Sequence, residues 1–225
     1  MTTIHAPELL QPAPESRPEL GLLEVAVAGD PDSLLWDALT RVESDVFIES
    51  EYVKTHEELQ AEYAPYLAQS AMIGLLNEGD VVGANRSISY DPAVGFKTLN
   101  DIKAGRLKLY PEGKEIYDAL DLTRTVEAGT IGLAKPYRSR AGLACAGLIY
   151  GAMYVRATQA GMDHMIASFD AGYFKGFVKR NGDFTTAVGP AVDYMGSPTI
   201  PAYIDLRKAS LERFLPRPPR SLILS

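Results

Sequence analysis

The spacing of hydrophobic and polar positions changes several times along this chain, and each change marks an element. Leu22 to Gly29 (LLEVAVAG) reads as a first strand. Leu35, Leu39, Val42 and Val46 then recur at helical spacing, with Asp32 or Ser33 placed to cap the helix. Thr55 and Glu58 have the spacing of a capping box and open a second helix carrying Leu59 and Tyr63, which Pro65 must end or kink. Ala71 to Leu76 and Val81 to Tyr90 are β-rich runs on either side of Asn77-Glu78-Gly79-Asp80, the pattern of an antiparallel hairpin. From Asp91 to Thr125 the pattern is mixed, and only a short helix near Lys114 to Leu120 stands out.

The next stretch changes period within one segment. Thr125 to Leu133 is a strand, a doubly basic turn follows, and a helix runs from about Gly142 to Ala160, closed by Gly161. His164 to Phe169 is a strand again, so the three elements form a βαβ unit with parallel strands. A helix over Tyr173 to Arg180 comes next, then strands at Thr186 to Tyr194 and Ile200 to Leu206 joined by Gly196-Ser197-Pro198, and a short C-terminal helix. The sum is an α/β domain with a mixed central sheet of six or seven strands flanked by helices. Pro7, Pro12, Pro14 and Pro18 mark residues 1–20 as a flexible arm, and Arg217-Pro218-Pro219-Arg220 marks 216–225 as a tail, which leaves 21–215 as the folded unit.

Composition narrows the chemistry. At 225 residues and 46% hydrophobic, the chain can bury one sizeable core. A formal charge of -7 argues against nucleic acid as the main partner, because neutralising phosphates needs a basic face. Cys145 is the only cysteine and His5, His56 and His164 lie far apart, so no disulfide and no metal cage are expected. No leader-like start and no run of about twenty apolar residues is present, which fits a soluble, cytoplasmic protein without a membrane span.

Two places carry candidate chemistry. Where the chain turns from strand to helix at Arg138 to Gly142, the free amides of the first helical turn can cradle an anion, with Arg138 and Arg140 adding attraction for phosphate. A plain turn with two solvated arginines explains the same local features. On the hairpin strand, Val82, Ala84, Arg86, Ile88 and Tyr90 share a face by period two; on the later strand Glu127, Gly129, Ile131 and Leu133 do so. Arg86 and Glu127 each interrupt an apolar row, either as parts of a cleft or as a mutual structural salt bridge.

The segment IGLAKPYRSRAGLACAGLIYGAMYVRATQAGMDHMIASFD resembles the acyl-CoA-binding core of the GNAT N-acyltransferase superfamily. VVGANRSISY, TVEAGTIGL and VDYMGSPTIPAYIDL are similar to three further segments of its autoinducer-synthase-like and N-acyl amino acid synthase-like branch. Counted from Arg138, the superfamily's loop pattern meets Ala141 and Leu143 where glycine and glycine or alanine are usual; Val178 stands where many acetyltransferases have a tyrosine acid. The resemblance implies an N-acyltransferase that takes an acyl chain, medium or long by preference, from acyl-CoA or acyl carrier protein as co-substrate. The acceptor is the amine of a small amino-acid-like molecule, and no permanent cofactor or metal is implied. Glu127 and Arg86 are the catalytic candidates. The donor falls to Gly129, Ile131, Leu133, Arg138, Ser139, Arg140, Ala141, Gly142 and Leu143, with a bulge near Gly129 to Leu133 turning amides toward the thioester carbonyl. An ordinary acetyl-CoA-dependent enzyme and a non-catalytic thioester-binding protein are the alternatives.

Other residues carry less. Cys145 reads as a core residue, His164 as a hydrogen-bonded strand histidine, and Tyr173 as a core-edge residue or a substitute acid. Phe96, Met153 and Phe177 fit an acyl tunnel or the core equally. Lys175, Lys179 and Arg180 fit either a docking face for an acidic carrier protein or a solvated helix end.

Overall fold

The computed structural model describes residues 21–138 and 142–215. Its strands are β1 (Leu23–Ala28), β2 (Ser70–Asn77), β3 (Asp80–Ser89), β4 (Thr125–Leu133), β5 (His164–Asp170), β6 (Thr185–Ala187), β7 (Val192–Tyr194) and β8 (Ser197–Asp205). They form one sheet in the order β1-β2-β3-β4-β5-β8-β6, with β7 also on β8. The pairing of β4 with β5 is parallel and the others are antiparallel. Eight strands appear where the pattern predicts six or seven, because the run after Thr185 breaks at Gly189-Pro190 into two short strands that both pair with β8.

Local chemistry explains most of the elements. Ser33 caps α1 (Leu34–Glu49) by accepting the Trp36 amide at 3.2 Å. Thr55 caps α2 (His56–Tyr63) by accepting the Glu58 amide, while Glu58 reaches back to the Lys54 amide. Pro65 turns the chain into a 3₁₀ segment, Ala64–Gln69. The β2–β3 turn puts Glu78 and Gly79 both at positive φ (53° and 92°), the geometry of a two-residue hairpin turn. Further on come α3 (Lys97–Lys103), α4 (Pro111–Asp118), α5 (Gly142–Gln159), α6 (Ala171–Asn181) and α7 (Leu211–Phe214). Helix α5 makes the crossover between β4 and β5 and ends before Gly161, which sits at φ +77°.

The sheet separates two cores. On one face Ile73, Leu75, Val126, Met165 and Ala167 pack with Ile149 and Met153 of α5, Phe177 of α6 and Phe214 of α7. On the other, Met72 and Ala84 meet Trp36 and Leu39 of α1, and Ile88 and Ile166 meet Leu59, Tyr63, Phe96 and Tyr117. Phe96, Met153 and Phe177 thus belong to the cores.

Two bulges correct the period-two reading of the faces. Register shifts between Leu75 and Leu76 on β2, leaving Val82 without an opposite residue, so Val82 joins the α5 side while Ala84 and Arg86 face α1. On β4, Arg86 pairs with Thr130 and Ser87 with Ala128, leaving Gly129 as the extra residue. Thr130 therefore joins Glu127 on the α1–α3 side, while Ile131 and Leu133 pack against the α5 side. A Cβ at Gly129 would lie 3.0 Å from Ile88 Cδ1 and 3.2 Å from Tyr63 Cε1, so glycine suits the bulge.

Candidate active site

The bulge also opens the sheet. Strands β4 and β5 pair from Thr125 with His164 to Ala128 with Ala167, and no pairing of the two is found beyond. A cavity of about 490 Å³ fills the fork, lined on one side by Gly129 to Leu133 and on the other by Ser168 to Asp170. Along β4 the fork leaves a strand edge without a strand partner, and Tyr63 Oη fixes the bulge by donating to the Gly129 carbonyl at 2.7 Å. From the sheet's interior, Asn85 Nδ2 donates to the Thr130 carbonyl.

Glu127 lies at the base of this fork and is 2% exposed. Its Oε1 accepts the Thr98 amide at 2.9 Å and the Thr98 hydroxyl at 2.7 Å; its Oε2 is buried with no hydrogen-bond partner. Phe96 at the cap of α3 offers no capping side chain, so Glu127 takes that role from β4. Thr98 Oγ1 is also 3.1 Å from Ser168 Oγ on β5. Burial pushes the Glu127 carboxyl up to about 7, with the two Thr98 hydrogen bonds and the nearby Lys97 charge pulling the other way.

Arg86 and Glu127 do not pair with each other. Arg86 forks onto Glu43 of α1, Nε to Oε1 at 3.0 Å and Nη2 to Oε2 at 2.6 Å, and both residues are 1% exposed. Thr130 Oγ1 donates to Glu43 Oε1 at 2.5 Å, and the guanidinium lies 4.9 Å from the Tyr63 ring centre and 5.6 Å from that of Trp36. Glu43 is a residue that the sequence reading missed, although it stands at i+4 from Leu39 and i−3 from Val46, inside the buried stripe of α1. Arg86 does not line the cavity; it braces the bulge from behind.

A second ionic cluster anchors α3. Lys97 Nζ meets Asp101 Oδ2 at 2.8 Å, Glu62 Oε2 at 3.1 Å and Tyr194 Oη at 2.5 Å. Burial works against the ammonium, but Tyr194 and Asp101 more than offset it and hold the Lys97 pKa above its ordinary value. Arg106 closes the ring onto Asp101 and Glu62. The result is a short helix held so that Thr98 faces Glu127.

At the other end of the fork, Asp170 caps α6 by accepting the Gly172 and Tyr173 amides, and its Oδ2 accepts Ser197 Oγ at 2.5 Å and Tyr52 Oη at 3.4 Å. Tyr173 lines the cavity and stacks on Phe169 at 6.3 Å. Arg138 is engaged with its neighbours: Nε donates to the Leu133 carbonyl at 2.6 Å and Nη2 to Glu49 at 2.6 Å. Gly142 opens α5 as the pattern predicts; Ser139, Arg140 and Ala141, and the side chain of Leu143, lie outside the described residues. Cys145 is buried in the core, and His164 Nδ1 sits 2.9 Å from Tyr203 Oη. Lys175, Lys179 and Arg180 are exposed. Among the described residues no cluster able to hold a metal and no helix long and apolar enough to cross a membrane is found.

No protein-family model and no curated protein matches this sequence. Solved structures do match the fold. The AHL synthase LasI superposes with a TM-score of 0.61 at 14% identity, over 86% of this chain and 93% of its own. FeeM, an N-acyl amino acid synthase from uncultured soil microbes, does so with a TM-score of 0.56 at 15% identity, over 83% and 94%. BjaI, a CoA-dependent acyl-homoserine lactone synthase solved with SAM and isopentyl-CoA, gives 0.56 at 13% identity, over 87% and 90%. With its bulged β4, forked parallel pair and crossover helix, the chain has the fold of the GNAT acyltransferases.

Proposed function

We propose that this protein is an N-acyltransferase that moves a medium or long acyl chain from a CoA or acyl-carrier-protein thioester to the amine of a small amino-acid-like acceptor. The observation that carries the reading is Glu127: a carboxyl raised to about 7, at the base of a fork whose β4 edge is free for a ligand. An amine attacks a thioester only in its neutral form, so a base poised near neutrality fits the reaction. The donor's pantetheine lies along the β4 edge from Gly129 through Ile131 to Leu133, and its phosphate end meets the chain from Arg138 to Leu143. Amides at the bulge stabilise the oxyanion as the carbonyl carbon becomes tetrahedral. Arg86 serves by holding the bulge in shape.

Chain length follows from the wall. Val46, Phe47, Ile131, Leu133, Phe169 and Met195 give the cavity an apolar side, and a volume of about 490 Å³ exceeds what an acetyl group fills. A panel of C2 to C16 acyl thioesters with a set of small amines, read by free-thiol release, tests the proposal. Turnover is expected with C6 and longer donors. Turnover with acetyl-CoA alone would reassign the protein to acetyl transfer, and tight donor binding without thiol release would make it a binding protein.

A further inference from the structure

Glu127 lies at the base of the cavity, but the atoms that must take the proton are buried or already engaged. Its Oε2 is buried, and its Oε1 is occupied by both Thr98 donors. A hydrogen-bonded route from Oε1 runs through Thr98 Oγ1 to Ser168 Oγ, and both hydroxyl residues line the cavity.

Proton counting fixes the direction of that route. A hydroxyl has one hydrogen to donate, and an ionised carboxylate can only accept. Thr98 spends its hydrogen on Glu127, so in its bond with Ser168 it must be the acceptor. Ser168 therefore spends its own hydrogen on Thr98 and turns lone pairs toward the cavity. An ionised Glu127 thus makes the cavity wall at Ser168 a hydrogen-bond acceptor.

 The N–H of a neutral amine meets that acceptor without having to reach the buried carboxylate itself.

We propose that Ser168 and Thr98 form a two-hydroxyl proton relay between the acceptor amine and Glu127, an inference that rests on the acyltransferase reading above. As the amine nitrogen bonds to the thioester carbon, its N–H proton passes to Ser168 Oγ, the Ser168 proton to Thr98 Oγ1, and the Thr98 proton to Glu127 Oε1. The relay now points the other way. Ser168 presents a donor to the cavity, and when the C–S bond breaks it returns a proton to the leaving thiolate. Glu127 ends the turnover ionised, and the products are an amide and a free thiol. The relay thereby supplies the acid that Val178 cannot.

The test uses the full chain with the donor that the thioester panel selects. Ser168→Ala and Thr98→Val are expected to lower kcat at least tenfold while KM for donor and amine stays within twofold, since general acid–base steps carry factors of this size. Thr98→Ser keeps the hydroxyl and is expected to recover kcat to within threefold of wild type. Thermal unfolding of Ser168→Ala within a few degrees of wild type separates a lost relay from a lost fold. Turnover that Glu127→Gln abolishes but Ser168→Ala leaves within twofold overturns the relay alone. No thiol release by the wild-type protein across the panel overturns the acyltransferase reading and the relay with it.

Discussion

Two glutamates are buried on the same side of this sheet, and they are held in opposite ways. Glu43 receives a cation: the Arg86 fork covers both its oxygens, and Thr130 adds a third donor. Glu127 receives only the neutral donors of Thr98 on one oxygen and none on the other. Removing one partner of a buried ion pair leaves an uncompensated charge, so the first arrangement belongs to stability. Without a directly bound cation, desolvation dominates at Glu127, and the second arrangement leaves a proton that can come and go near neutrality. Burial alone therefore does not decide how a buried carboxyl holds its proton; the partner's charge does as well.

The sharpest way to break this contrast is to remove the cation. Arg86→Met is expected to cost about 3–5 kcal/mol of stability, read from chemical denaturation, because Glu43 is left buried and unpaired. Glu127→Gln is expected to leave the fold intact and to slow thiol release at least tenfold; near-normal turnover would remove Glu127 as the base.

The pH dependence sharpens the same contrast. The groups around Glu127 that carry or can carry charge are Lys97 on α3, Tyr63 on α2 and Tyr117 on α4. The base works only when ionised, so kcat/KM of the wild-type protein is expected to rise with pH through about 7, and Glu127→Gln to lose that limb. Stability runs the other way. Because the folded pKa is raised above the ordinary 4.5, the folded protein holds a proton there that the unfolded chain has released. The contribution is full below 4.5 and declines as pH rises to about 7. The difference in unfolding free energy between wild type and Glu127→Gln across that window should carry this slope. The smallest effect expected is that of Tyr63→Phe, which lies beside both clusters and ties the bulge through the Gly129 carbonyl: a loss of about 1 kcal/mol in unfolding free energy.

Much of this fold is legible in the sequence because its signals are local. The Ser33 and Thr55 caps, the Glu78-Gly79 turn and the β4–α5–β5 unit each stand within a few residues of their cause. Helix α3 is not legible for the opposite reason: its cap is a side chain 29 positions away, and Phe96 gives no sign of a start. Thr98 was invisible with it. Ser168 sits in a plain strand pattern, and its meaning depends on α3 being packed against β5. The bulge at Gly129 was anticipated for the chemistry but not for the faces, where one extra residue sends Ile131 and Leu133 to the other side of the sheet. Glu43 had a signal, its place in the apolar stripe of α1, that a charge on a helix makes easy to pass over.

The apolar side chains of Val46, Phe47 and Met195 line the cavity apart from the hydrogen bonds and ion pair that hold Glu43 and Glu127. On the proposed reading, substrate range and proton chemistry are thus housed in separate parts of the molecule. A mutant library confined to those three positions is a direct route to altered chain-length preference with the reaction machinery left in place.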